Sequence, residues 1–304
     1  MITFLKNKKA TIIMVLSFVF FGLTGVTKAN ITAPTGFVSM IRAFGGSIAL
    51  FLFTTILRNR VSLKAILKNL PILILSGVCL AVNWLTLFTS YRLSGVGIAT
   101  ILDYLAPVLV FFLSPLLFRE KITLKKTLIA AASLFGVVMV SGVLSSTVQV
   151  RQEGFFTGIL LGLVAAVTYA AFIICNKKVK EISPFDKGIA QMAFCGIAMI
   201  PYVLIAEAPA VRTYEWNLSE ILLILFFIFI QTGLAYGCYF YAIGLVPAQK
   251  SAIMSFIDPV ITLLIAVLFL HESMDWIQAI GSAVILIGAV LIDLEPHAMR
   301  SGKP

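Results

Sequence analysis

Four charged residues lie inside long apolar runs of this chain: Arg42, Asp103, Lys250 and Asp258. A charge in hydrocarbon costs about 2.5–3.5 kcal/mol on insertion scales, so such groups turn toward a wet cavity or a partner. Pro107 follows Asp103 by four residues, and Pro259 follows Asp258 directly. Proline has no N–H, so Pro107 cannot bond the carbonyl of Asp103, nor Pro259 that of Ser255. Each proline therefore predicts a kinked helix with a spare acceptor near a carboxylate. That chemistry suits an amine or a coupling cation. The competing reading is a kink kept for packing, with the acid paired inside the protein. Arg42, followed by Gly45-Gly46, offers a planar fork for a substrate carboxylate or a countercharge for Asp103. Lys250, near a helix end, can snorkel to the interface.

Helical spacing lines other polar residues up with these. Ser251, Ser255, Asp258 and Thr262 step by four, three and four and share one face. Thr100, Asp103, Pro107 and Ser114 form a looser stripe, as do Asn83, Thr86 and Ser90, and Thr232, Tyr236 and Tyr239. Four converging stripes would line a wet cavity; small and hydroxyl residues also serve plain helix packing. Trp84, Tyr104, Tyr236 and Tyr239 lie deep in their runs, where they can stack on an amine or aromatic solute or fill the core. Gln191 and Gln231 are weaker candidates of the same kind. Glu120 and Glu272 fall at helix ends, where they can pair with loop cations or free backbone donors, a structural or gating role.

Enzyme chemistry finds little here. His271 and His297 are isolated, and no HExxH or GxSxG occurs. Cys79, Cys175, Cys195 and Cys238 sit in apolar stretches outside any CxxC and read as small buried hydrophobes. No metal, cofactor or catalytic residue is expected. Without a GxxxxGK[ST] loop, ATP is not the direct energy source.

The elements that must position these residues follow from composition. Charged residues make up 12% and hydrophobic ones 60%. A soluble domain carries roughly 25% charge, so lipid must be the solvent. Ten runs are long enough to cross it: Ala10–Thr27, Thr35–Leu57, Leu70–Tyr91, Val96–Phe118, Thr127–Ser145, Phe156–Cys175, Gly188–Ala206, Ile221–Tyr241, Ala248–Leu270 and Trp276–Ile292. They do not alternate in polarity, so helices rather than a barrel are expected. The first is longer than a signal core and reads as an uncleaved helix. With the N-terminus in the cytoplasm, eighteen Lys and Arg fall inside. Lys28, Arg92, Arg151 and Arg212 fall outside, and Arg42 within a span completes the twenty-three. This bias places both termini inside. The net charge of +10 is thus a topology signal, and no basic domain exists for nucleic acid.

A shift of 152 residues brings Pro107 onto Pro259, Val108 onto Val260, Glu120 onto Glu272 and Gly136 onto Gly288. A shift of 150 brings Pro34 and Ala43-Phe44 onto Pro184 and Ala193-Phe194. The boundary falls in Ser146–Glu153, giving units 1–149 and 150–304. Five helices per unit is odd, so the second must be inverted, a recurrent plan in secondary transporters.

These features resemble the drug/metabolite transporter superfamily, EamA type, over nearly the whole chain. The resemblance rests on Lys28, Arg42, Ala99–Val108 ending in Arg119-Glu120-Lys121, and Ile257-Asp258-Pro259-Val260 followed by His271-Glu272, Gly281 and Gly288. The family's second half often has Glu where Asp258 stands, and its first half an uncharged residue at Asp103. The resemblance implies a multi-pass protein of the bacterial inner membrane that moves a small metabolite, such as an amino acid or amine, by alternating access. Export is the leading direction, with import in the same family, and then a membrane enzyme, as alternatives. A coupling proton or cation and a homodimer stay open.

Overall fold

The computed structural model describes residues 2–56, 60–141, 143–144, 154–269 and 274–294. Among them there are helices and no strand. In order they are α1 (Ile2–Ala29), α2 (Thr35–Ile56), α3 (Leu63–Lys68), α4 (Leu70–Ser94), α5 (Val96–Asp103), α6 (Leu105–Phe118), α7 (Leu124–Val140), α8 (Phe155–Lys178) and α9 (Pro184–Tyr202). A π-helical turn (Val203–Glu207) leads into α10 (Ala208–Arg212). Then come α11 (Leu218–Phe226), a second π segment (Phe227–Leu234), α12 (Ala235–Ile243), α13 (Ala248–Met254), α14 (Ile257–Phe269) and α15 (Trp276–Asp293).

Seven stretches of the described chain are long and apolar enough to cross a membrane: Thr35–Ile56, Leu70–Ser94, Ile98–Phe118, Phe155–Lys178, Pro184–Arg212, Leu218–Ile243 and Ala248–Ile265. Lys9–Thr24 and Trp276–Ile292 are shorter apolar helices. Leu116, Ile205 and Phe156 are each more than three-quarters exposed. In lipid such side chains need no protein partner, and helices satisfy every backbone group internally. The chain is an all-helical integral membrane protein.

Two of the expected spans are broken, both just upstream of a proline. α5 stops at Asp103 and α6 resumes at Leu105; α13 stops at Met254 and α14 resumes at Ile257. Pro107 and Pro259 are each the third residue of the resumed helix, where a missing N–H would have had no intrahelical partner. The expected spare carbonyl of Ser255 is not free. At the break the Asp258 N–H turns back onto it at 3.1 Å. Neither π segment has a sequence signature, and α10 lies between the expected spans that end at Ala206 and begin at Ile221.

The helices pack α2 on α9, α4 on α8, α7 on α15, α1 on α12 and α14, and α6 on α13. Glycines set the closest crossings. A Cβ on Gly281 of α15 would lie 2.8 Å from the Gly136 carbonyl of α7, and one on Gly45 of α2 would lie 2.6 Å from Ile228 Cγ2. Acids tie helix starts to distant segments. Glu120 accepts the N–H groups of Ala248 (2.6 Å) and Gln249 (3.0 Å) at the start of α13. Glu207 accepts those of Gly36 (2.9 Å) and Phe37 (2.7 Å) at the start of α2. Both exploit unsatisfied first-turn donors and the positive helix end. Lys250 is buried. Glu272 and the Ser146–Glu153 boundary lie outside the described residues.

Candidate functional site

α4 carries Asn83 and Trp84 side by side, and each opens one of two neighbouring groups. The first surrounds Arg42, which is 3% exposed. Its guanidinium carbon lies 4.2 Å from the Trp84 ring centroid and 4.1 Å from that of Phe227, with Tyr236 at 6.0 Å. Such contacts stabilise a desolvated cation by roughly 2 kcal/mol or more each. The Nε–H donates to Thr232 Oγ1 at 2.7 Å. Among the described residues no carboxylate forms an ion pair with Arg42. The pair with Asp103 that the sequence left open is therefore not formed. Around this cation Phe21 sits 4.7 Å from Tyr236 and 5.9 Å from Tyr239, and Trp84 meets Tyr236 edge-on at 6.2 Å. Tyr239 stacks on Phe172 at 6.3 Å.

The second group holds the acids at the two helix breaks. Asn83 Nδ2 donates to Asp103 Oδ1 (3.0 Å) and to the Ala165 carbonyl (3.0 Å), fixing the carboxyl between α4, α5 and α8. Tyr104, the residue in the first break, donates its hydroxyl to Asp258 Oδ2 at 2.9 Å. Asp258 Oδ1 is buried and has no hydrogen-bond partner among the described residues. A buried carboxylate oxygen without a donor is unfavourable and calls for a proton, a cation or a ligand N–H. Asp103 ends α5 and Asp258 is the second residue of α14. The first thus sits at the negative end of a half-helix and the second at a positive end, where a carboxylate is favoured.

Most of the expected residues come together in these two groups: Arg42, Trp84, Tyr236 and Tyr239 in one, Asn83, Asp103, Tyr104 and Asp258 in the other. Tyr169 of α8 joins the first group, stacked at 5.9 Å on Phe172, the ring that Tyr239 also stacks on. Ser255 keeps its hydroxyl out of the group, donating it to Ala252 O at the end of α13 at 2.7 Å. Thr86 and Thr262 likewise donate to carbonyls four residues back, as a packing role predicts. Gln191 and Gln231 are fully buried and donate to Ser76 and Thr27. Pro107 and Pro259 make the breaks; Glu120 caps α13 and touches neither group. Sequence reasoning missed Phe21, Tyr169 and Phe227 and did not single out Thr232. Phe21 and Phe227 look like any of the 24 phenylalanines. Tyr169, the one large residue in Ala165-Ala166-Val167-Thr168-Tyr169-Ala170-Ala171, did carry a signal.

Comparison with known proteins bears on what such a site serves. The model of the EamA-like transporter family matches residues 8–142 and again 156–293. The chain is 24% identical over 287 residues to the uncharacterized transporter YxxF of Bacillus subtilis, covering 94% of this chain and 90% of that one. A probable amino-acid metabolite efflux pump of Salmonella typhimurium is 24% identical, over 63% of this chain and 65% of its own. An S-adenosylmethionine uptake transporter of Rickettsia conorii is 28% identical over 47% of each. A crystal structure shares the fold at a TM-score of 0.78 and 18% identity, covering 94% of this chain and 98% of its own. Two family matches that together span most of the chain, on a bundle of apolar helices, place it: it belongs to the EamA-like transporter family of the drug/metabolite transporter superfamily and is a multi-pass protein of the bacterial inner membrane.

Proposed function

We propose that the chain is a secondary transporter that exports a small zwitterionic metabolite, an amino acid or a related amine-bearing compound, by alternating access. The observation that carries this reading is the setting of Arg42: a buried guanidinium with aromatic rings at its face and no carboxylate partner among the described residues. Buried charges are paired in stable proteins, and a substrate carboxylate supplies the missing anion through the guanidinium fork. Asp103 and Asp258 face the amine, or a proton or cation exchanged against it.

The frame for this is ten spans in two inverted five-helix repeats, 1–149 and 150–304, with both termini in the cytoplasm. Two features support it beyond the charge sorting. The family model matches once in each half. The packing pairs also exchange under a two-fold: α4 on α8 mirrors α12 on α1, while α2 on α9 and α7 on α15 map onto themselves. Export takes its support from the efflux relative's name, and uptake is the alternative that the Rickettsia relative's name favours. The test is counterflow of amino acids and amines in proteoliposomes of the purified chain. Uptake that depends on internal unlabelled solute is expected. Folded protein that moves no solute carrying both a carboxylate and an amine would sink the reading.

A further inference from the structure

The offset between the two halves changes along the chain. It is 150 residues at Pro34/Pro184 and Ala43/Ala193, and 152 from Phe88/Phe240 onward. Both π segments, Val203–Glu207 and Phe227–Leu234, lie in that interval. A π turn closes five residues back rather than four, so each takes in one residue more than an α turn. The second of these turns reaches Arg42. Thr232 donates its hydroxyl to the Phe227 carbonyl, five residues back, at 2.9 Å, and accepts the Arg42 Nε–H at 2.7 Å. Gly46 of α2 faces the same side chain so closely that a Cβ there would collide with Thr232 Cγ2. The hydroxyl is thus held by its own turn and presented to the guanidinium, while Phe227, at the start of the turn, supplies one of the rings against it.

Among the described residues, the corresponding positions of the other half lack this arrangement. At the offset of 150 Arg42 corresponds to Met192, and at 152 Thr232 corresponds to Leu80. Leu80 lies in α4, which runs as an unbroken α-helix from Leu70 to Ser94. The wide turn at Thr232 thus has no counterpart at the corresponding place in α4.

We propose that Thr232 is a positioning residue that fixes the plane of the Arg42 guanidinium and so makes the site select a carboxylate over an uncharged isostere. The inference rests on Arg42 as the carboxylate-binding group of the proposed transporter. With Nε–H engaged by Thr232, the fork of terminal nitrogens has one orientation and can meet both oxygens of a carboxylate. Without the hydroxyl the guanidinium turns on the ring faces, and the second hydrogen bond is lost.

The test compares L-phenylalanine with L-phenylalaninamide, which share a ring and an amine and differ at the carboxylate. Dissociation constants are read on the purified chain by quenching of tryptophan fluorescence. The unaltered protein prefers the acid. Thr232→Val, of similar shape without the hydroxyl, lowers that preference about tenfold, the effect of roughly one charge-assisted hydrogen bond. Thr232→Ser, which keeps the hydroxyl, stays within about twofold of the unaltered protein. If the valine variant keeps the full preference, or the serine variant loses as much as valine, the inference is overturned and the transporter reading stands. If the unaltered protein does not distinguish the two compounds, both fall.

Discussion

Arg42 is held through its shape as much as its charge, because two rings and one hydroxyl fit a flat guanidinium. Lysine keeps the charge but has neither the plane nor the fork. Arg42→Lys is therefore expected to lower transport at least about tenfold while the protein still inserts and runs as a single species on gel filtration. Full activity in the lysine variant would mean that the site asks only for a positive charge. Asp258→Asn keeps the shape and removes the acid. It should impair flux with insertion intact, and unchanged flux for every candidate solute would remove Asp258 from the site. Tyr104→Phe takes away a donor to Asp258 Oδ2, a loss of about 1 kcal/mol in a typical bond. A milder transport defect than that of Asp258→Asn is the expected result. At this scale the charged members of the site were legible because a charge in an apolar run is costly and needs a reason. Phe21 and Phe227 were not, since nothing in an apolar residue's type separates a site wall from core.

Among elements, the prolines pointed to a kink in two helices, because a missing N–H has fixed consequences for the backbone, and both helices are interrupted just upstream of them. They did not announce where the freed groups would go: the Ser255 carbonyl was reclaimed by the Asp258 N–H, a tertiary choice among local turns. The π segments were invisible for a different reason. A π turn and an α turn have the same composition, and the only trace is a change of repeat offset by two residues, which a loop could equally absorb. Glycine was legible as a type but not in its partners. Gly281 and Gly136 bring α15 and α7 together with no room between them. Even alanine at Gly281 places its Cβ 2.8 Å from a backbone oxygen that cannot move aside alone. Gly281→Ala is expected to destabilise the chain by about 1–3 kcal/mol, the range for an overpacked contact, read as a lower midpoint of unfolding in mixed micelles. An unchanged midpoint would mean that the two helices separate freely to admit the methyl group.

On the scale of the molecule, one contact fastens the first proposed repeat to the second. The carboxylate of Glu120, which follows α6, seals the start of α13, where Ala248 and Gln249 are almost fully buried. Gln249 is held further by Lys126 at 2.9 Å and Ser114 at 2.8 Å. The alternating access proposed above requires the Glu120 fastening to release once per cycle. A cysteine at Ala248, in a chain whose four native cysteines have been replaced, reports that release to a membrane-impermeant thiol reagent added on the side proposed to be cytoplasmic. Glu120→Ala removes both hydrogen bonds to the helix start and should raise the labelling rate at least about fivefold, the equilibrium shift for roughly 1 kcal/mol of lost capping. Glu120→Gln, which can still accept one bond, should fall between. Equal rates in all three proteins would mean that α13 is held shut by its packing and that Glu120 only caps a helix.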